Sequence, residues 1–239
     1  MNYLKHALAV SAVSFFATGA SAATYTFNLE STSYGGDPTS SSSANSFSIT
    51  HGDMIGTFTG RYIENPTYDV SDKLIGDDSI DALSLDRWRF GAGIYNTTGD
   101  RQHTVDGVGY HDFVEMAFEF MGSAVDVTLS SLSFGYIATG YSNTNSAFEL
   151  ILDTTGNATI NLGDMLVYSG NAANLVDLSG LGLVGDVFGV LAGEYGSWKL
   201  KAATVDYSVP EIPLPAAVWL MLGGLGGLVT VGKRRQKAT

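Results

Sequence analysis

From Phe113 to Phe120 the chain alternates strictly. Val114, Met116, Phe118 and Phe120 share one parity, and Phe113, Glu115, Ala117 and Glu119 share the other. A side-chain period of two belongs to a β-strand, and such alternation sets one face against a core and the other toward water. The next segment repeats the signal with a defect. Its apolar residues are odd-numbered at Val125, Val127 and Leu129 and even-numbered at Leu132, Phe134 and Tyr136. A one-residue change of parity inside a strand is what a β-bulge produces. Two long alternating strands in succession commit this part of the chain to a sheet.

Shorter segments extend the pattern. Ala23 to Glu30 alternates around Tyr25, Phe27 and Leu29. Phe47 to Ile63 is strand-like on both sides of a turn at His51-Gly52-Asp53. Trp88 to Tyr95 is aromatic and Gly-spaced. Ala147 to Asp153, Thr159 to Leu162 and Ser197 to Val209 are expected as further strands. Ser31 to Ser43, rich in Ser, Gly and Thr, is expected as a loop. The acid-rich stretch Asn65 to Asp86 is expected to hold one short helix at Ser79 to Leu85. Gly180 to Gly196 is apolar and Gly-rich and fits either a loose helix or a loop. Many short strands with little helical periodicity predict an all-β body, a β-sandwich of jelly-roll-like type.

Charge and cysteine usage narrow what this body can do. The chain has a formal net charge of -12 and no cysteine. Within residues 23–208 the only bases are Arg61, Lys73, Arg87, Arg89, Arg101, Lys199 and Lys201. An acidic surface repels nucleic acid and anionic lipid. No disulfide can brace the domain, so its core must, with bound calcium as the other possible support.

The two ends differ from the body. Residues 1–22 have a basic start at Lys5, an apolar centre around Phe15 and Phe16, and the small-residue site Ala20-Ser21-Ala22. This is the pattern of a secretory signal peptide cleaved so that the mature chain begins at Ala23; an uncleaved anchor is the alternative. Residues 209–239 begin with Pro210, Glu211, Ile212, Pro213, Leu214, Pro215 and Ala216, continue without charge to Gly232, and close on Lys233, Arg234, Arg235 and Lys237. At about 1.5 Å per residue, the uncharged run as a helix covers most of a hydrocarbon layer about 30 Å thick. The basic cluster marks its cytoplasmic end. A single transmembrane helix is therefore expected here, serving either as a plain anchor or as a signal to be processed. Gly223, Gly224, Gly226 and Gly227 weaken that helix, and the prolines keep the approach to it extended; both favour a signal.

The order of proline motif, apolar helix and basic stop resembles the PEP-CTERM class of bacterial sorting signals, in particular its VPLPA variant. Ile212-Pro213-Leu214-Pro215-Ala216-Ala217 matches that variant with Ile in place of Val. Pro210-Glu211 with Pro213 resembles the Pro-Glu-Pro form with Ile212 inserted. The resemblance covers only the tail. It implies recognition and removal of the tail by an exosortase, a membrane-embedded processing enzyme, with delivery to the cell surface or extracellular matrix alongside exopolysaccharide. The segment Phe90 to Phe134 also resembles the ectodomain of many PEP-CTERM proteins, in its Gly-rich aromatic strand, its His103-to-Asp106 turn and the two alternating strands that follow.

One constellation in the body could carry chemistry: Asp100, His103, Asp106, His111 and Asp112. Asp106 and Asp112 flank a Gly-rich loop, where carboxylates and carbonyls could wrap a hard cation such as calcium. The spacing fits no standard zinc pattern. Against a metal stands a plain turn at Asp106-Gly107 with His103 hydrogen-bonded across it. No nucleophile elbow, zincin helix or phosphate loop is present. Abundant acids leave a glycosidase open, and exposed aromatics among Trp88, Tyr110, Tyr136 and Tyr141 would point to carbohydrate binding. The sequence thus predicts a non-enzymatic exported protein with a structural or adhesive role. A carbohydrate-binding module is the alternative, and a secreted hydrolase the weaker one.

Overall fold

The computed structural model describes residues 22–31, 45–75, 80–95, 104–107, 110–137 and 146–208. The expected signal peptide, transmembrane helix and Ser/Gly/Thr-rich loop lie outside these residues, apart from Ala22 and Ser31. Residues Ala22–Tyr207 form one compact unit.

That unit is all-β. Its first half comprises β1 (Ala22–Asn28), β2 (Ser46–His51), β3 (Met54–Glu64), β4 (Thr67–Tyr68), β5 (Leu74–Ile75), β6 (Asp81–Trp88), β7 (Gly91–Tyr95) and β8 (Val105–Asp106). Then come β9 (Tyr110–Phe120), β10 (Ser123–Ala124), β11 (Val127–Gly135), β12 (Ala147–Leu152) and β13 (Met165–Asn171). The chain closes with β14 (Val176–Asp177), β15 (Val184–Gly185), β16 (Val187–Ala192) and β17 (Ser197–Ser208). The main sheet runs β13-β12-β16-β9-β3-β6-β7-β17-β11-β14, with β1 added to β17 and β2 to β3. Neighbouring strands pair antiparallel.

The sheet curls at β6. The first residues of this strand pair with β3, from Asp81 opposite Tyr62 to Leu83 opposite Gly60. The rest pair with β7, from Ser84 opposite Tyr95 to Trp88 opposite Gly91. A strand that serves two neighbours in turn makes a corner, and the two halves then close over one another. Between them lies the main core. Phe58, Val114, Met116, Phe118, Phe148 and Phe188 come from one half, and Ile94, Leu129, Leu132, Phe134, Leu200 and Val205 from the other. Trp198 is fully buried there; its ring meets Phe134 edge-on at 4.9 Å and its indole N–H donates to Ala147 O at 3.1 Å.

The parity change in β11 is a bulge. Pairing with β17 slips between Leu129 and Ser131, so Leu129 and Leu132 both reach the core. The turn at Gly52-Asp53 is a two-residue hairpin loop with Gly52 at φ 60°, the left-handed conformation glycine takes without strain.

Three expectations are corrected. The helix expected at Ser79 to Leu85 is replaced from Asp81 onward by β6, because Leu83 and Leu85 recur at a period of two and Leu85 is buried in the core; Ser79 lies outside the described residues. Thr159 to Leu162 is not a strand, because side chains satisfy its backbone, as described below. Gly180 to Gly196 is neither loose helix nor loop throughout. It contains β16, buried along its whole length between β12 and β9. A central strand covered on both faces reads as a continuous apolar run, which conceals its period.

Both faces of β16 are covered because the sheet has a second, outer core. Ile63, Leu74, Phe113, Ile151, Ile160, Val187 and Leu191 pack together there. The face of β9 expected to be wet therefore carries a buried Phe113 and a buried Glu115. The covering elements are the β4–β5 hairpin and residues 153–164.

Candidate functional site

Of the residues singled out for a metal, the structure describes Asp106, His111 and Asp112. Asp100 and His103 lie outside the described residues. Asp106 closes β8 opposite Ser197. Asp112 is buried in β9 opposite Tyr62. His111, of the opposite parity, has Nδ1 3.0 Å from Ala192 O, a bond that ties β9 to the end of β16. Around them, tyrosines engage carboxylates. Tyr62 and Tyr110 meet edge-on at 5.2 Å, and the Tyr62 hydroxyl donates to Asp81 Oδ2 at 3.3 Å. The hydrogen bond to Glu64, with its charge, pushes the Tyr110 phenol above its ordinary value; burial and then Asp81 do the same to Tyr62. Phenols held protonated in this way act as donors, so Glu64 and Asp81 are engaged by hydroxyls. Among the described residues no group of three or more His, Cys, Asp or Glu side chains could hold a metal ion.

A second polar cluster was not legible as a unit. It lies in residues 153–164, where three carboxylates serve as a scaffold for backbone. Asp153 Oδ1 accepts from Thr155 N at 2.9 Å, Thr155 Oγ1 at 3.0 Å and Gly156 N at 2.8 Å, and Oδ2 accepts from Ala158 N at 3.0 Å. Asp164 accepts from Thr154 N at 2.9 Å and Asn161 N at 2.7 Å. Glu115 Oε2 reaches up from β9 to Thr159 Oγ1 at 2.7 Å and Ile160 N at 2.8 Å. Arg61 Nε is 3.1 Å from the same oxygen, as an ion pair without an aligned hydrogen bond. Tyr68 donates to Glu149, which fastens the β4–β5 hairpin to β12; burial first and Glu149 second push its phenol up. Each of these acids accepts backbone N–H groups of the loop, so the cluster serves as a scaffold. The Asx-type spacing of Asp153 to Thr155 is the only sequence signal that could have revealed it.

The aromatic residues divide by exposure. Trp88 is half-buried, Tyr110 is 40% exposed and Tyr136 is 42% exposed; Tyr141 lies outside the described residues. Phe90, not singled out from the sequence, is 48% exposed.

The cleavage-site residues Ala22 and Ala23 open β1; Ala20 lies outside the described residues. Their strand pairs with the last one. Thr24 Oγ1 donates to Asp206, Thr26 Oγ1 meets Thr204 Oγ1 at 3.2 Å, and Leu29 N–H donates to Lys201 O at 2.8 Å. Numbers rise on one strand as they fall on the other. Continuing this register by two residues sets Ala22 opposite Ser208, where β17 ends.

No protein-family model, curated protein or solved structure matches the chain. The motif residues Pro210, Glu211, Ile212, Pro213, Leu214, Pro215 and Ala216, and the basic stop Lys233, Arg234 and Arg235, lie outside the described residues. Among the described residues no helix is long and apolar enough to cross a membrane.

Proposed function

We propose that this is an exported protein of the bacterial cell surface or extracellular matrix, sorted by an exosortase-type enzyme and structural or adhesive rather than catalytic in role. One observation carries the reading. The order Pro213-Leu214-Pro215, uncharged run, Lys233-Arg234-Arg235 begins directly after the strand that ends the folded unit. A processing enzyme working on residues 210–216 would cut after Ser208, the last residue of β17, and signal peptidase cutting after Ala22 would remove one residue from the start of β1. Both cuts would leave the fold intact. Within this reading the body is a β-sandwich of jelly-roll-like type, supported by the corner at β6 and the core closed between the two halves.

The test is the mass of the intact protein recovered from its native host. Wild type is expected to begin at Ala23 and to lack the tail. Pro213→Ala with Pro215→Ala is expected to insert in the membrane, since summed apolarity and flanking charge are nearly unchanged, yet to keep the tail. Wild-type protein that remains full length at its C-terminus would reduce the tail to an anchor.

A further inference from the structure

Three neighbouring strands set two tyrosines between two carboxylates. In register, Asp81 of β6 stands opposite Tyr62 of β3, and Glu64 of β3 stands opposite Tyr110 of β9. Tyr62 and Tyr110 are therefore diagonal neighbours on one face, within reach of one another for side chains of this length. Their rings meet edge-on, with 5.2 Å between centres. The same faces of β3 and β9 carry Phe58 and Val114 into the main core, so the pair lies past one end of that core. Tyr110 is 40% exposed and Tyr62 is half-buried beside it.

Each phenol also has a base in place. The Tyr62 hydroxyl donates to Asp81 Oδ2 at 3.3 Å, and that of Tyr110 hydrogen-bonds Glu64. A phenol that loses an electron becomes a strong acid, and its radical persists only if the proton leaves with the electron. Here both protons have a carboxylate to go to. Both phenols hold their protons above the ordinary range, so it is the protonated form that meets an oxidant.

We infer that Tyr62 and Tyr110 form an oxidation site, converted to dityrosine by a peroxide-dependent haem oxidant. One electron leaves each phenol, and its proton passes to Asp81 or Glu64. The two neutral phenoxyl radicals couple through ring carbons ortho to oxygen. The hydrogens on those carbons then move to the phenol oxygens, which restores both rings. The carboxylates release their protons, and one hydrogen peroxide takes the two electrons and two protons to become two waters. The product is a covalent bridge between β3 and β9. A chain with no cysteine forms no disulfide, and in an oxidising compartment this pair supplies an oxidative cross-link of another kind. The site does not depend on whether the tail is cut.

The experiment treats the full chain, in neutral detergent, with a haem peroxidase and hydrogen peroxide. Dityrosine fluorescence is expected in the monomer, and a proteolytic digest should join the peptide holding Tyr62 to the one holding Tyr110. Tyr62→Phe and Tyr110→Phe, which keep the rings and so the packing, should each abolish that joined peptide. Glu64→Gln with Asp81→Asn should slow its formation about tenfold or more, as removal of a positioned general base does, with an unchanged circular dichroism spectrum. The exposed Tyr95, Tyr136 and Tyr195 serve as internal controls. Dityrosine that maps to these instead, that forms only between molecules, or that fails to form would overturn the site. Formation at the wild-type rate in the Glu64→Gln, Asp81→Asn variant would overturn the role of the carboxylates.

Discussion

Asp153 and Asp164 show how little the identity of a residue fixes its chemistry. They flank one loop and both accept backbone hydrogen bonds, yet their acidities diverge. Burial pushes Asp153 up, but donation from Gly156, Thr155 and Ala158 outweighs it and the carboxyl ends below its ordinary value. Burial also pushes Asp164 up; there it prevails, helped by the charge of Asp153, and the carboxyl ends above its ordinary value. The consequences for stability have opposite signs. The contribution of Asp153 is present above the unfolded pKa and is lost as pH falls through its lower folded value. That of Asp164 is present below the unfolded pKa and is lost as pH rises through its higher folded value. Asp153→Asn is therefore expected to cost on the order of 2 kcal/mol near neutrality, with the deficit shrinking in acid. The deficit of Asp164→Asn should instead grow as pH falls. Urea midpoints of the two variants against wild type between pH 7 and pH 3 check this, and parallel profiles would contradict the assignment.

At the scale of elements, the covering loop is the part that a strand reading missed. Thr159 to Leu162 has the composition of a strand, but Ile160 is fully buried in the outer core while its own N–H is taken by Glu115. Ile160→Ala should cost about 3 kcal/mol, as large-to-small changes in a core do, measured by chemical denaturation. A loss below about 0.5 kcal/mol, the level of a surface change, would mean that the loop does not seal that core. The long strands were legible because one face of each meets the main core: β9, β11 and the β2–β3 hairpin follow a period of two, and even the β11 bulge shows in the parity of Leu129 and Leu132. β16 was illegible because both its faces are covered, and β6 because its acids suggested a helix start. Of the exposed aromatics, Tyr136 was singled out in the sequence; Phe90 was not, because its exposure depends on the turn between β6 and β7.

At the scale of the molecule, the decisive pairing is the most distant in sequence. β1 can form only against β17, whose residues Ser197–Ser208 are the last of the folded unit. On the export reading proposed above, Ala22 and Ala23 would stay unpaired until the end of the chain arrived, and so would remain open to signal peptidase. Once formed, the pair brings both ends of the body to one pole. The absence of native cysteine makes this directly testable. Thr26 and Thr204 are 178 positions apart, and their hydroxyl oxygens lie 3.2 Å apart, so Thr26→Cys with Thr204→Cys places two thiols across adjacent strands with no competitor. Oxidation should give a single internal crosslink that speeds migration on a non-reducing gel. Closing so long a loop should raise stability by an amount on the order of 4 kcal/mol, less any strain in the bond. The reduced form should stay near wild type, because both positions are polar and exposed. Thiols that stay reduced, or link only between molecules, would show that the two ends do not meet in this register. Ala22 and Ser208 would then not lie side by side.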